Sequence, residues 1–349
     1  MKNNYRKIFQ VAAVFIGTIV GAGLASGQEI AQFFTVYGVN SFIGIILCAF
    51  IYMVIGSFII KISIEHNFTS YSELIQHISP GFVGKIINFL TGLFMISSSS
   101  VILAGSGALI HQYFGISRWV GIIVMIIISL PVILRNTKGL IEINSFIVPA
   151  LITVVMLIFI LYLIFSANIT INHLNIINPG KKNWLISSII YGCFNLLCCT
   201  GVLVPLSSEI KNTKTLILGL AAGTIGLTFL SLVINLLLML NIPYIFHYEI
   251  PMLYISNRFG IIMQMTLLCV IWFEMFSTEV SNIFSIGRAL ENTLGLSYKQ
   301  CAVIVLIITI PISQIGFKNL ILFLYPAFAI ISFVFIIECI IFSFRNRKS

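Results

Sequence analysis

Apolar residues fill this chain in long blocks, and the polar stretches between them are short. A helix needs about 20 apolar residues to cross the hydrocarbon of a bilayer. Ten stretches reach or approach that length, at about 8–35, 41–63, 82–112, 118–134, 142–166, 184–207, 215–240, 254–290, 300–316 and 319–344. The pattern predicts an all-α polytopic membrane protein of ten transmembrane helices, a single domain over 1–349. The polar connection 166–183 divides it into repeat one, about 8–166, and repeat two, about 184–344. Five spans are an odd number, so the second half enters the membrane from the opposite side. Halves that share a fold would then form a 5+5 inverted repeat, a common transporter plan.

Two blocks are interrupted. Residues 17–30 read "GTIVGAGLASGQEI", four glycines and a carboxylate inside a membrane-length run. Each glycine costs roughly 1 kcal/mol relative to alanine in a helix interior. Such glycines serve one of two ends. Gly17-x-x-x-Gly21 and Gly23-x-x-x-Gly27 fit close packing between helices. They also fit a helix that unwinds at mid-membrane, where freed N–H groups face an anion and freed carbonyls a cation. The sixth block, 191–210, reads "YGCFNLLCCTGVLVPLSSEI", broken by Gly192, Asn195, Thr200, Gly201 and Pro205. Interruptions at matching positions of two halves point to a central binding site formed by unwound helices 1 and 6. The plainer alternative is a proline kink and a packing glycine.

Composition narrows the class. The chain is 59% hydrophobic and 8% charged, with mean hydropathy +1.10. Soluble domains average about 25% charged residues, and this chain cannot hide so much apolar surface from water. All ten acidic residues are glutamate, which argues against enzymes built on aspartate dyads. The seven cysteines fall inside apolar blocks, without the CxxC spacing of redox or zinc sites. No histidine pair has metal-ligand spacing. With the N-terminus inside, 14 of the 19 lysines and arginines face the cytoplasm and five face out. The net charge of +9 is therefore topological; its partner is the anionic inner leaflet of the bilayer, not nucleic acid. Both termini are placed in the cytoplasm.

The glycine-rich stretch carries a resemblance to the bacterial YkvI-type membrane proteins, of the amino acid–polyamine–organocation superfamily. The wider fold is similar to that of the neurotransmitter:sodium symporters, over about 8–344. A second match is "EMFSTEVSNIFSIGRALENTLGLSYKQ", residues 274–300, with its paired hydroxyls and "LS-x-K" loop. The resemblance implies a bacterial cytoplasmic membrane, no cofactor, and Na+ or H+ as coupling ion. It implies a Na+ site made by carbonyls of Gly17, Val20 and Glu274 with the hydroxyls of Ser277 and Thr278. The bland alternative is that both hydroxyls bond back to their own helix. It implies a solute site in which Gly21, Ala22 and Gly23 offer N–H groups to a carboxylate. Phe194 would form a lid, Asn195 a polar contact, and Thr200 and Gly201 the unwound part of helix 6. Ser97–Ser100 either lines this pocket or packs. Leu24 stands where relatives carry asparagine, and residues 142–166 hold no lysine or arginine.

An ionised carboxylate near the bilayer centre costs at least about 2.5–3.5 kcal/mol, so such residues usually face a cavity. Glu274 and Glu279, flanking the hydroxyl pair, are candidates for coupling, and Glu29 for an outer gate. The expected function is a symporter-like secondary transporter of a small amino acid or related amine, working by alternating access. A permease-like sensor that binds solute without accumulating it is the alternative. No nucleophile or metal constellation favours an enzyme.

Overall fold

Helices follow the apolar blocks closely, because a backbone without water must satisfy its own hydrogen bonds. The computed structural model describes residues 2–165, 183–248, 250–315 and 317–346. The helices are α1 (Lys2–Ala25), α2 (Gln28–Phe33), α3 (Asn40–Glu65), α4 (Tyr71–Ile78), α5 (Phe82–Phe114), α6 (Arg118–Ile133) and α7 (Thr137–Phe165). They continue as α8 (Trp184–Ile210), α9 (Thr213–Met239), α10 (Pro251–Asn257), α11 (Ile261–Leu294), α12 (Tyr298–Ser313) and α13 (Phe317–Asn346). Among the described residues, seven helices are long and apolar enough to cross a membrane, and three apolar stretches are shorter. The protein is thus a multi-pass membrane protein. The connection 166–182, with Lys181, Lys182, His173 and Asn168, lies outside the described residues, as do Arg347 and Lys348.

Two sequence expectations need correction. The first span is not one helix over 8–35. It ends at Ala25; Gly27 turns the chain in a left-handed conformation (φ 81°) and the short α2 follows. Ser26 stabilises this turn: its hydroxyl donates to the Gly23 carbonyl at 3.0 Å, and its own carbonyl accepts from Met252 N–H at 3.0 Å. The eighth span likewise starts late. Residues 251–257 form the separate α10, and α11 begins only after Gly260 at φ 91°.

The two interrupted helices lie innermost. Of the most apolar stretch of α1, 72% is buried, and of α8 78%, against 39% for α7. The first helix packs against α7, α8, α9 and α11, while α8 packs against α3, α11 and α13. Other contacts join α3 with α9, α5 with α6, α11, α12 and α13, and α11 with α7 and α12. Large apolar side chains such as Phe50, Phe146 and Ile225 point outward, as lipid-facing positions require.

The short α4 is capped by Ser70, whose hydroxyl accepts from Glu73 N–H. It ends in a ring cluster: His77 lies 4.2 Å from the His66 ring and 5.4 Å from Phe342, centroid to centroid. Burial, then the neighbouring His66, hold the His77 pKa below its ordinary value, with Glu65 pulling the other way. A depressed histidine pKa means the unfolded chain takes the proton first. Stability then falls as pH drops through the histidine range. His77→Gln is expected to flatten the acid limb of a plot of thermal midpoint against pH. An unchanged limb would assign that acid sensitivity elsewhere.

Candidate functional site

The first helix breaks at Gly21, whose φ of 44° and ψ of −169° are not helical. An L side chain rarely adopts such angles, so glycine is required here for conformation and not only for packing. Around it Gly17, Val20, Ala22 and Leu24 are all buried. The break lies against α11: a Cβ on Gly21 would stand 3.2 Å from Thr278 Oγ1, and one on Gly17 would stand 3.2 Å from Ser277 Oγ. Adjacent residues on α11 thus face positions one turn apart on α1. The hydroxyl pair and the glycine stretch, far apart in sequence, meet inside the bundle.

Asparagine 144 of α7 enters the same place, and sequence reasoning missed it. Its carboxamide fills the space a Cβ on Gly17 would take. Ser277 Oγ donates to Asn144 Oδ1 at 2.6 Å, and Asn144 Nδ2 donates to the Leu140 carbonyl at 2.8 Å. The second bond orients the amide so that its carbonyl oxygen faces α1 and α11. Thr278 Oγ1 donates to the Glu274 carbonyl at 2.9 Å, the back-bonding arrangement. The one available signal was an asparagine carboxamide within a membrane-length apolar helix, which is costly unless it is used. Asn144→Leu is expected to leave the buried Ser277 hydroxyl without its acceptor and to cost about 1–3 kcal/mol of stability. A thermal midpoint equal to that of the unsubstituted protein would show that Ser277 finds another acceptor.

The carboxylates divide between two faces. Glu274 is fully buried, and among the described residues neither of its carboxyl oxygens has a hydrogen-bond partner. Glu279, also fully buried, accepts from Ser99 Oγ of α5 at 2.7 and 2.8 Å. Asn282 Nδ2 donates to Ser98 Oγ at 2.9 Å on the same interface. The serine run of α5 therefore serves α11, a pairing neither reading of that run had named. Ser281 and Ser285 continue the polar face of α11 by bonding to carbonyls one turn back, at 3.0 and 2.7 Å.

Glu29 belongs to α2, beyond the turn, and not to the outer half of a longer helix. Its side chain folds back against Gly23, in the space a Cβ there would need. It accepts from the Tyr191 hydroxyl of α8 at 2.9 Å. Asn195 Nδ2 donates to the Tyr191 carbonyl at 3.1 Å. Phe194 stands edge-on to Phe94 of α5, 5.1 Å between centroids. A small cavity of about 10 Å³, the size of one water, lies nearby among Leu24, Cys48, Tyr52, Tyr191 and Ser231.

Thr200 and Gly201 are not unwound. The α8 helix runs unbroken from Trp184 to Ile210 with Pro205 inside it. Proline leaves the Gly201 carbonyl without its helical donor, but the glycine is used for approach: a Cβ there would strike Ser285, and Met95 at 2.8 Å. Hydroxyls stabilise the segment from within, Thr200 donating to Leu197 O at 2.6 Å and Ser207 to Leu203 O at 2.7 Å. Here the packing alternative holds.

The fold is shared with solved membrane transporters. The chain matches a Na+-coupled sialic acid symporter in a substrate-bound outward-open state, with TM-score 0.66 and 15% identity over 90% of this chain and 75% of that one. It matches MhsT in complex with L-phenylalanine with TM-score 0.66 and 16% identity, over 96% of this chain and 87% of that one. The class is thus a polytopic protein with the architecture of a cation-coupled symporter. In sequence, it is 32% identical over 329 residues to "Uncharacterized membrane protein YkvI" of Bacillus subtilis (strain 168), covering 94% of this chain and 93% of that protein. The chain belongs to the YkvI family of membrane proteins. No family model matches it.

Proposed function

We infer that the protein is a secondary transporter of the amino acid–polyamine–organocation superfamily, with ten spans in two inverted repeats. It sits in the bacterial cytoplasmic membrane with both termini inside, and takes up a small amino acid or related amine with Na+ or H+. The observation that carries this reading is the break at Gly21, buried at the centre of the bundle and faced by Thr278. A membrane helix bears the cost of such a break where the exposed backbone has something to bind.

The packing supports the repeat. Pair α1, α3, α5, α6 and α7 in order with α8, α9, α11, α12 and α13. Exchanging partners converts the contact of α1 with α9 into that of α8 with α3, and α1 with α7 into α8 with α13. It converts α5 with α6 into α11 with α12, and α11 with α7 into α5 with α13. Each of these contacts is present, as two halves related by a pseudo-twofold axis require. The symmetry is imperfect at the centre, where α1 is broken and α8 is not.

In this reading the carbonyls of Gly17, Val20 and Glu274, with Ser277, Thr278 and the added Asn144, form an oxygen-rich pocket suited to a hard cation. Gly21, Ala22, Gly23, Phe194 and Asn195 border the solute, and Glu29 and Glu279 take part in gating and coupling. Rocking of one helix group against the other would expose the pocket to each side in turn. The test is a thermal-shift screen of amino acids and amines with Na+ replaced by K+ at two pH values, followed by uptake into proteoliposomes. A solute whose stabilisation depends on Na+ or pH, and which is then concentrated, confirms it. Binding without accumulation would instead make the protein a sensor.

A further inference from the structure

The binding region is short of positive charge. No lysine, arginine or histidine is buried among the described residues, whereas Glu274 and Glu279 are fully buried. Glu274 lies one helical turn from Thr278, the residue that abuts Gly21, and its carboxyl oxygens have no hydrogen-bond partner among the described residues. On the other side of the break, the Glu29 carboxylate rests against Gly23 and is held there by Tyr191. A solute seated on the opened backbone of residues 21–23 would therefore meet a carboxylate at once. A solute carboxylate placed there would face like charge at close range, in surroundings where screening is weak.

We propose that the solute is recognised by its positive charge, as an amine or small organic ammonium, and that a solute carboxylate is not required. The proposal rests on the transporter reading and corrects the expectation that residues 21–23 cradle an anion. A buried carboxylate without a basic partner is neutralised either by a proton or by a cation from outside, and a positively charged solute supplies the second. Among the described residues no three His, Cys or Glu side chains come together as a transition-metal cargo would use, which directs the choice to an organic cation.

The test uses the purified full chain and three matched sets of probes. Each set holds an amino acid, its decarboxylated amine and its N-acetyl derivative: phenylalanine with phenethylamine, leucine with isoamylamine, and alanine with ethylamine. Thermal stabilisation and proteoliposome uptake are measured for each. The expected result is that at least one amine stabilises the protein and is taken up, while its N-acetyl acid does neither. Glu29→Gln and, separately, Tyr191→Phe should then weaken amine binding at least tenfold. Stabilisation by amino acids and N-acetyl acids with silence from the amines would overturn the proposal and leave the transporter reading intact. Silence from every probe, in Na+ and in K+, would remove both.

Discussion

Substituting valine for Gly21 is expected to abolish solute uptake while the protein still folds and inserts. At φ 44° and ψ −169° the backbone is in a region essentially reserved for glycine, and a branched side chain there carries strain of about 1–3 kcal/mol. The added Cβ would also press on Thr278 Oγ1, 3.2 Å from its ideal position. The chain can relieve both by closing the helix, which returns the freed N–H and C=O groups to the ladder and removes the binding surface. Gly81→Val is the control, because Gly81 also has positive φ (89°) but nothing within 4 Å of an added Cβ. It should cost similar stability with uptake per folded molecule preserved. If Gly21→Val transports as well as Gly81→Val, the break has no part in transport.

The second large effect concerns the buried carboxylate of α11. Glu274→Gln is expected to keep the fold yet erase the stabilisation that a bound cation confers on the unsubstituted protein. An ionised carboxylate held in a dry interior without a partner is strongly unfavourable, by several kcal/mol. A cation close by relieves that cost, so folding and cation binding are linked through this residue. A ligand at a hundred times its dissociation constant adds about 2.7 kcal/mol to apparent stability. That increment should be visible as a rise in thermal midpoint on exchanging K+ for Na+, and absent in the variant. Glu279→Gln should have the smaller effect, because Ser99 already donates to Glu279 and can donate to the glutamine carbonyl. Equal responses of the unsubstituted protein and Glu274→Gln to Na+ would free this carboxylate of any role in Na+ binding.

The spans were legible because transfer of apolar side chains into lipid is a sum over neighbouring residues. The expected 118–134 and 215–240 became Arg118–Ile133 and Thr213–Met239. Expectation failed where one backbone angle outweighed local hydropathy, at Gly27 and Gly260. The glycine-rich stretch was visible in the pattern of residues, and the Ser277–Thr278 pair through the family resemblance. Their meeting was not visible, nor were the pairs Asn144–Ser277, Tyr191–Glu29 and Ser99–Glu279, each separated by more than a hundred residues.

Two glycine-bearing helices looked alike in sequence and came out differently. At Gly21, where Thr278 stands 3.2 Å from an added Cβ, the backbone opens; at Gly201 Ser285 and Met95 press closer and the helix stays whole. The amino-acid sequence by itself determined that this is a membrane protein, where its helices run, and which stretches could be spared from helical geometry. Only the tertiary structure decided which of them is broken and which carboxylate is left without a partner. Hydropathy is a property of single residues, whereas a break or an orphaned charge depends on what distant segments bring to the same spot.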